Sequence, residues 1–244
     1  MRLTRVHCDL PLAAGIEVSL PEAAAYHAVR VLRLRPGDAL VVFDGRGADF
    51  RAEIASVADG DVRVKLLERL AALPESPLRI TLVQAISRGE RMDWTLQKVT
   101  ELGVHTIVPV LSVRSVVRLD ERQAESKLRH WRGIVIASCE QCGRSIVPEL
   151  QPPQELRARL AGDARDGQRL VLSPDGPTAL AGLTSVSSRV ELLIGPEGGF
   201  DDAELHAAER AGYTPVRLGP RVLRTETAGI VALTVLQALW GDLQ

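Results

Sequence analysis

The rhythm of the chain changes at one proline-flanked stretch, AALPESP (residues 71–77), and that change narrows the folds open to it. Before it, apolar and polar residues alternate with the period of half-buried strands. The segment DALVVFDGRGADFRAEIASVADGDVRVKLLERL holds three such runs, split at Asp44-Gly45 and at Asp59-Gly60-Asp61. Both breaks are hairpin signals. Ahead of them, LPEAAAYHAVRVLRL reads as a helix with Pro21 near its first turn. A small β-barrel with one helix is predicted over residues 1–72. After the break, strand and helix patterns alternate. Strands are predicted at 78–86, 105–112, 168–174, 189–195 and 214–219. Helices are predicted at 91–103, roughly 120–140, 154–161, 201–212 and 225–239. Such alternation builds an α/β domain with a mostly parallel sheet under covering helices, here over residues 75–244.

Composition excludes several classes. The chain is 45% hydrophobic and 25% charged with a formal net charge of −1, which argues against a sequence-wide electrostatic grip on nucleic acid but not a local one. No apolar run reaches membrane-spanning length, and the start MRLTRVHCDL has no signal-peptide core. Cys8, Cys139 and Cys142 form no disulfide framework, so a reducing cytoplasm is expected. Lysine occurs only at 65, 98 and 127. The arginine bias suits bidentate phosphate contacts, and equally reflects a genomic base composition.

The stretch LLIGPEGGFDDAE (192–204) runs an apolar strand into a turn rich in glycine. Glycine there lets backbone approach a ligand, yet neither common phosphate cradle is present. There is no G-x-x-x-x-G-K-[ST], and Gly195, Gly198 and Gly199 do not fit G-x-G-x-x-G. A dinucleotide domain carries its glycines after the first strand, where this chain has SRGERMDW. The strand after the turn ends in Leu218-Gly219-Pro220, with no carboxylate for a ribose. A Rossmann fold is therefore disfavoured.

The last helix, TETAGIVALTVLQALWG, is apolar nearly all round and must be covered on more than one side, with a subunit interface the natural cover. Its entrance packs Arg224, Thr225, Glu226 and Thr227 together. Thr225 suits a helix cap and Glu226 the helix dipole. Arg224 fits neither role, because the positive end of a helix is a poor place for a cation unless an anion visits.

These residues carry a resemblance. LLIGPEGGF (192–200) and LGPRVLRTETA (218–228), with QKVTELGV (97–104), Arg114-Ser115 and EQCGR (140–144), resemble the ribosomal RNA small-subunit methyltransferase E family of the SPOUT superfamily. HAVRVLRLRPGD (27–38) and FDGRG (43–47) look like that family's PUA-like barrel, so the likeness runs end to end. The resemblance implies methylation of N3 of a uridine in 16S rRNA, with S-adenosylmethionine as methyl donor and no metal. It also implies a trefoil-knotted domain and a homodimer acting on 16S rRNA or the small ribosomal subunit.

The cofactor residues so implied are Leu172, Leu193, Ile194, Gly195, Pro196, Gly198, Gly199, Leu218, Gly219, Val222, Leu223, Thr225 and Ala228. Uracil N3 must lose a proton as it is methylated, and charge then spreads to the ring carbonyls. Arg224 would hold that charge, and Glu226 or Glu197 would take the proton. Either glutamate would otherwise tie backbone amides together. RNA contacts are implied for Arg30, Arg33, Arg114, Gln141 and Arg144. Asp93, Trp94 and Lys98 are expected to support the first helix of the α/β domain. Cys139 and Cys142 have zinc-site spacing, but no second ligand pair exists to complete it. A related enzyme acting on ribose 2′-oxygen or another base, and an inactive RNA-binding adaptor, remain as rivals.

Overall fold

A computed structural model describes residues 3–58, 60–162 and 166–243. The chain divides into two compact units, Met1–Glu75 with Ile136–Val147, and Ser76–Val135 with Pro148–Gln244.

The first unit holds β1 (Arg5–His7), β2 (Glu17–Ser19), α1 (Glu22–Tyr26), β3 (Ala39–Phe43), β4 (Asp49–Ala58) and β5 (Asp61–Leu70). They form one sheet in the order β1-β3-β4-β5-β2, antiparallel except for β1 on β3. Among the described residues no ladder joins β2 to β1 at the two ends of this order. Asp59 of the second hairpin signal lies outside the described residues, whereas Gly60 beside it has φ +87. Alternate residues of β5 (Val62, Val64, Leu66) enter a core shared with Leu40, Val42, Phe50 and Ile54. The predicted helix is α1 followed by a π-helical turn over His27–Val31, and Arg33 just beyond it sits at φ +57.

Residues Ile136–Val147 join this unit although they follow the proline break by some sixty positions in the chain. Their side chains explain it. The His7 amide donates to Glu140 Oε1 at 2.9 Å, and Arg5 Nη2 donates to the Arg144 carbonyl at 3.2 Å. Arg5 also pairs with Asp49 at 2.6 Å under the Phe43 ring. Burial pushes the Glu140 carboxyl up, and it pushes the Cys139 thiol up to about 12.

The second unit begins with β6 (Arg79–Ala85), α2 (Glu90–Glu101), β7 (Thr106–Leu111) and α3 (Glu121–Cys142), whose last turns are grouped with the first unit. It continues through β8 (Glu149–Leu150), β9 (Gln154–Glu155), α4 (Leu156–Ala161), β10 (Gln168–Leu172) and β11 (Thr178–Ala179). It ends with β12 (Arg189–Ile194), α5 (Asp202–Arg210), β13 (Tyr213–Arg217) and α6 (Thr225–Trp240). The strands order as β11-β13-β10-β12-β6-β7-β8, every pairing parallel. Central strands β6, β7 and β12 are buried nearly throughout, as strands covered on both faces must be. The first two residues of the helix expected from 154 pair with β7 instead, and α4 starts at Leu156. Among the described residues, no helix is long and apolar enough to cross a membrane.

Candidate functional site

Parallel pairing puts the carboxyl ends of β6, β7, β10, β12 and β13 along one edge, where open α/β sheets bind their ligands. The glycine turn leaves the sheet there, after Ile194 of β12. The Gly199 amide donates to the Pro196 carbonyl at 2.9 Å, closing a four-residue turn.

The turn is held from three directions. The Thr225 hydroxyl donates to the Gly195 carbonyl and accepts from Gln84 Nε2 at 3.0 Å. Arg114 Nη1 donates to the carbonyls of Gly198 at 3.1 Å and Phe200 at 3.3 Å. Glu197 accepts from the Arg88 amide at 3.3 Å and from Arg91 Nη1 at 3.0 Å. Behind the turn, Asp201 and Glu204 form a reciprocal capping box on α5, and Glu204 Oε1 also accepts from the Val113 amide at 2.8 Å. The acidic helix start thus fixes the loop after β7 as well as its own helix.

The residues predicted to receive a cofactor gather on adjacent strands β13, β10 and β12 and on the start of α6. Leu172 ends β10, half-buried; Leu193 and Ile194 end β12, buried. Leu218 and Gly219 follow β13, Val222 is 80% exposed, and Leu223, Thr225 and Ala228 lead into α6. Gly199 at φ +67 and Gly219 at φ +118 have no heavy atom near the place a Cβ would take. The backbone of both loops therefore faces open space at these points, where a ligand could approach it directly.

Arg224 is the N-cap residue of α6, extended at φ −63 and ψ 151, and exposed. Its guanidinium makes no ion pair among the described residues. Thr225, expected as the cap, turns its hydroxyl to Gly195 instead. Glu226 is buried, with Oε1 3.9 Å from Arg91 Nε and Oε2 without a hydrogen-bond partner among the described residues.

Of the residues expected at RNA, Arg30, Arg33 and Gln141 are exposed on the first unit. Arg144 departs from that expectation: it is 8% exposed, and its guanidinium is paired with Glu75. A buried, paired arginine is spoken for, and its neighbourhood could not be seen in the motif EQCGR. Arg114 is exposed but spends Nη1 on the glycine turn.

Sequence reasoning missed Gln84 and Arg91. The first had a signal, a lone amide near the end of the apolar run LRITLVQAI. Arg91 had none, because its role depends on Glu197 and Glu226, more than a hundred residues on.

A family model described as an RNA methyltransferase domain matches residues 74–237, and one described as an RNA methyltransferase PUA domain matches residues 20–67. The chain is 35% identical over 242 residues to ribosomal RNA small subunit methyltransferase E of Buchnera aphidicola subsp. Schizaphis graminum, covering 99% of this chain and 98% of the relative. It belongs to the ribosomal RNA small subunit methyltransferase E family. Two solved structures are similar over nearly their whole length. The Legionella pneumophila methyltransferase Lpg2936, with bound SAM, shares 40% identity and a TM-score of 0.94 over 99% of this chain and 100% of that one. A family member from Neisseria gonorrhoeae, bound to S-adenosylmethionine, shares 38% identity and a TM-score of 0.92, each chain covered in full. The α/β methyltransferase domain and the PUA-like domain expected from the motifs are those of this family.

Proposed function

We propose that this protein transfers a methyl group from S-adenosylmethionine to N3 of a uridine in 16S rRNA. The observation that carries the reading is the convergence of the glycine turn, the loop after β13 and the Arg224–Ala228 helix start at one edge of the parallel sheet. Membership of a family with S-adenosylmethionine-bound members over the full chain supports it. Bound there, the cofactor supplies an electrophilic methyl group on a sulfonium, so the reading needs no metal. Residues 193–199, 218–223, Thr225 and Ala228 would cradle it, with Leu172 closing one side.

The remaining work falls to this chain's own groups. Arg224, exposed and without an ion pair among the described residues, would hold the charge that develops on the uracil carbonyls. Glu226 suits the proton acceptor better than Glu197 does, since Glu197 is engaged by the Arg88 amide and Arg91 while Glu226 Oε2 has no partner among the described residues. Residues 1–72 would act as the RNA-binding PUA-like domain, with Arg30 and Arg33 beside the π-helical turn meeting phosphates. Residues 75–244 would form the knotted methyltransferase domain. We further propose a cytoplasmic homodimer, joined through α6, that acts on the small ribosomal subunit or its RNA. The half-buried Val231 and Val235 and the exposed Leu239 run as a stripe along α6 and would lie under the partner.

The test is methyl transfer to small ribosomal particles lacking the modification, followed by primer extension. Methylation at N3 blocks base pairing and stops the polymerase at one uridine. Full-length extension despite methyl incorporation would move the reaction to a ribose 2′-oxygen, and no incorporation would remove the enzyme reading.

A further inference from the structure

Gln84 lies at the end of central strand β6, wholly buried. Its Nε2 donates to the Ala85 carbonyl at 3.1 Å and to Thr225 Oγ1 at 3.0 Å. A carbonyl can only accept, so the amide must turn its NH2 group this way. Thr225 Oγ1 then receives one proton and has one to give, and it gives it to the Gly195 carbonyl. Hydrogen-bond direction is thus set in sequence from β6, through α6, to the first residue of the glycine turn.

The other end of the same amide makes no such provision. Gln84 Oε1 is buried without a partner among the described residues, and it faces Gly229 of α6 so closely that a Cβ there would sit 3.0 Å from it. An unmet buried acceptor destabilises a fold, and an apolar side chain would avoid it. The amide thus serves Thr225 and the Ala85 carbonyl while leaving its own oxygen unmet, in the apolar half of β6 beside Leu82, Val83 and Ala85.

We infer that Gln84 is a positioning residue for the cofactor loop, directing the Thr225 hydroxyl so that it pins the Gly195 carbonyl and fixes where the glycine turn leaves the sheet. The inference rests on the proposal that residues 195–199 receive S-adenosylmethionine. Gln84 touches no reacting atom and acts only through Thr225.

Calorimetric titration with S-adenosylmethionine tests it, together with thermal unfolding of each variant. Gln84→Met and Thr225→Val should each weaken binding roughly threefold to tenfold, the range of one lost hydrogen bond. The double variant should lose no more than the weaker-binding single, because both changes cut one chain of bonds. Thr225→Ser keeps the hydroxyl and should lose less affinity than Thr225→Val. Gln84→Leu also removes the donor and should weaken binding too, which carries the test if Gln84→Met fails to fold. Turnover at saturating cofactor should stay near wild type in Gln84→Met while KM for the cofactor rises. Wild-type affinity in a Gln84→Met protein of lowered Tm would make the residue merely structural and overturn the inference, as would additive losses in the double variant. Wild-type protein that binds no S-adenosylmethionine would overturn this and the proposed function together. Wild-type binding with unaffected Gln84 variants would overturn the inference alone.

Discussion

Arg224 stands at the positive end of a sixteen-residue helix, exposed and without an ionic partner among the described residues. A cation there is disfavoured by the helix dipole unless an anion arrives. If that anion is the uracil losing its proton, Arg224→Ala should lower single-turnover methyl transfer on the order of 10²–10³-fold with little change in either ligand's affinity. Arg224→Lys should rescue poorly, because an ammonium cannot span two acceptors as a planar fork does. Weaker RNA binding with a flattened salt dependence and a normal rate would instead mark a phosphate anchor. Two glycines give a second check at this scale. A Cβ at Gly199 or Gly219 meets no heavy atom within 4 Å, yet Gly199→Val and Gly219→Val each force a side chain into a positive-φ conformation, at about 1–3 kcal/mol. Both should weaken S-adenosylmethionine binding by more than they lower Tm, since the added side chains fill that open space. Calorimetry beside thermal unfolding reads the difference.

Helix α6 illustrates what periodicity can and cannot tell. Its run of apolar residues showed a helix covered on several sides, and Gly229, Ala232, Leu233 and Leu236 are indeed buried. Nothing in that run announced Gln237, which is wholly buried. Its Nε2 donates to the Leu102 carbonyl at 3.0 Å, and its Oε1 accepts from Ser76 Oγ at 2.6 Å. The amide thus serves the C-terminal end of α2, where helices leave carbonyls unmet. Gln237→Leu should destabilise the protein by about 1–3 kcal/mol in urea unfolding, as stranded buried acceptors do, and leave cofactor affinity unchanged. The five strands read after the proline break were legible to within a residue or two, with β6, β7 and β12 as apolar runs between turns, whereas the two-residue β8, β9 and β11 left no such run. Partnerships such as Gln84 with Thr225, or Arg144 with Glu75, were not, since they join residues that the chain order keeps far apart. The glycine turn and its late place in the chain were visible; the three tethers that shape it were not.

For the molecule as a whole, two measurements bear on assembly and stability. Val235→Asp with Leu239→Asp puts carboxylates on the outward stripe of α6 and not in its core, so the fold should survive while a dimer dissociates. Sedimentation of a well-folded wild-type monomer at micromolar concentration would remove the dimer. Alkaline pH probes the interior. Burial pushes Cys139 from 9.0 up to about 12, and burial beside Glu191 raises Tyr213 further still. With folded values above unfolded ones, this stability is complete below about pH 9 and is lost as pH climbs toward 12. The Cys139 contribution falls by up to about 1.4 kcal/mol per pH unit in that window. Cys139→Ala should flatten the decline when urea midpoints are followed from neutral to alkaline pH.

Strand β6 pairs on one side with β12, whose register runs from Arg189↔Arg79 to Ile194↔Gln84. During synthesis, then, the first strand of the catalytic domain emerges from the ribosome more than a hundred residues before its central neighbour exists. The cofactor edge closes later again, once α6 has emerged and Thr225 can reach Gln84. If the glycine turn and the start of α6 hold S-adenosylmethionine as proposed, a nascent chain is unable to bind it until translation has passed that helix. On that proposal a stalled or truncated product would carry the PUA-like domain without methyl donor, and cofactor binding itself would report that α6 had been made.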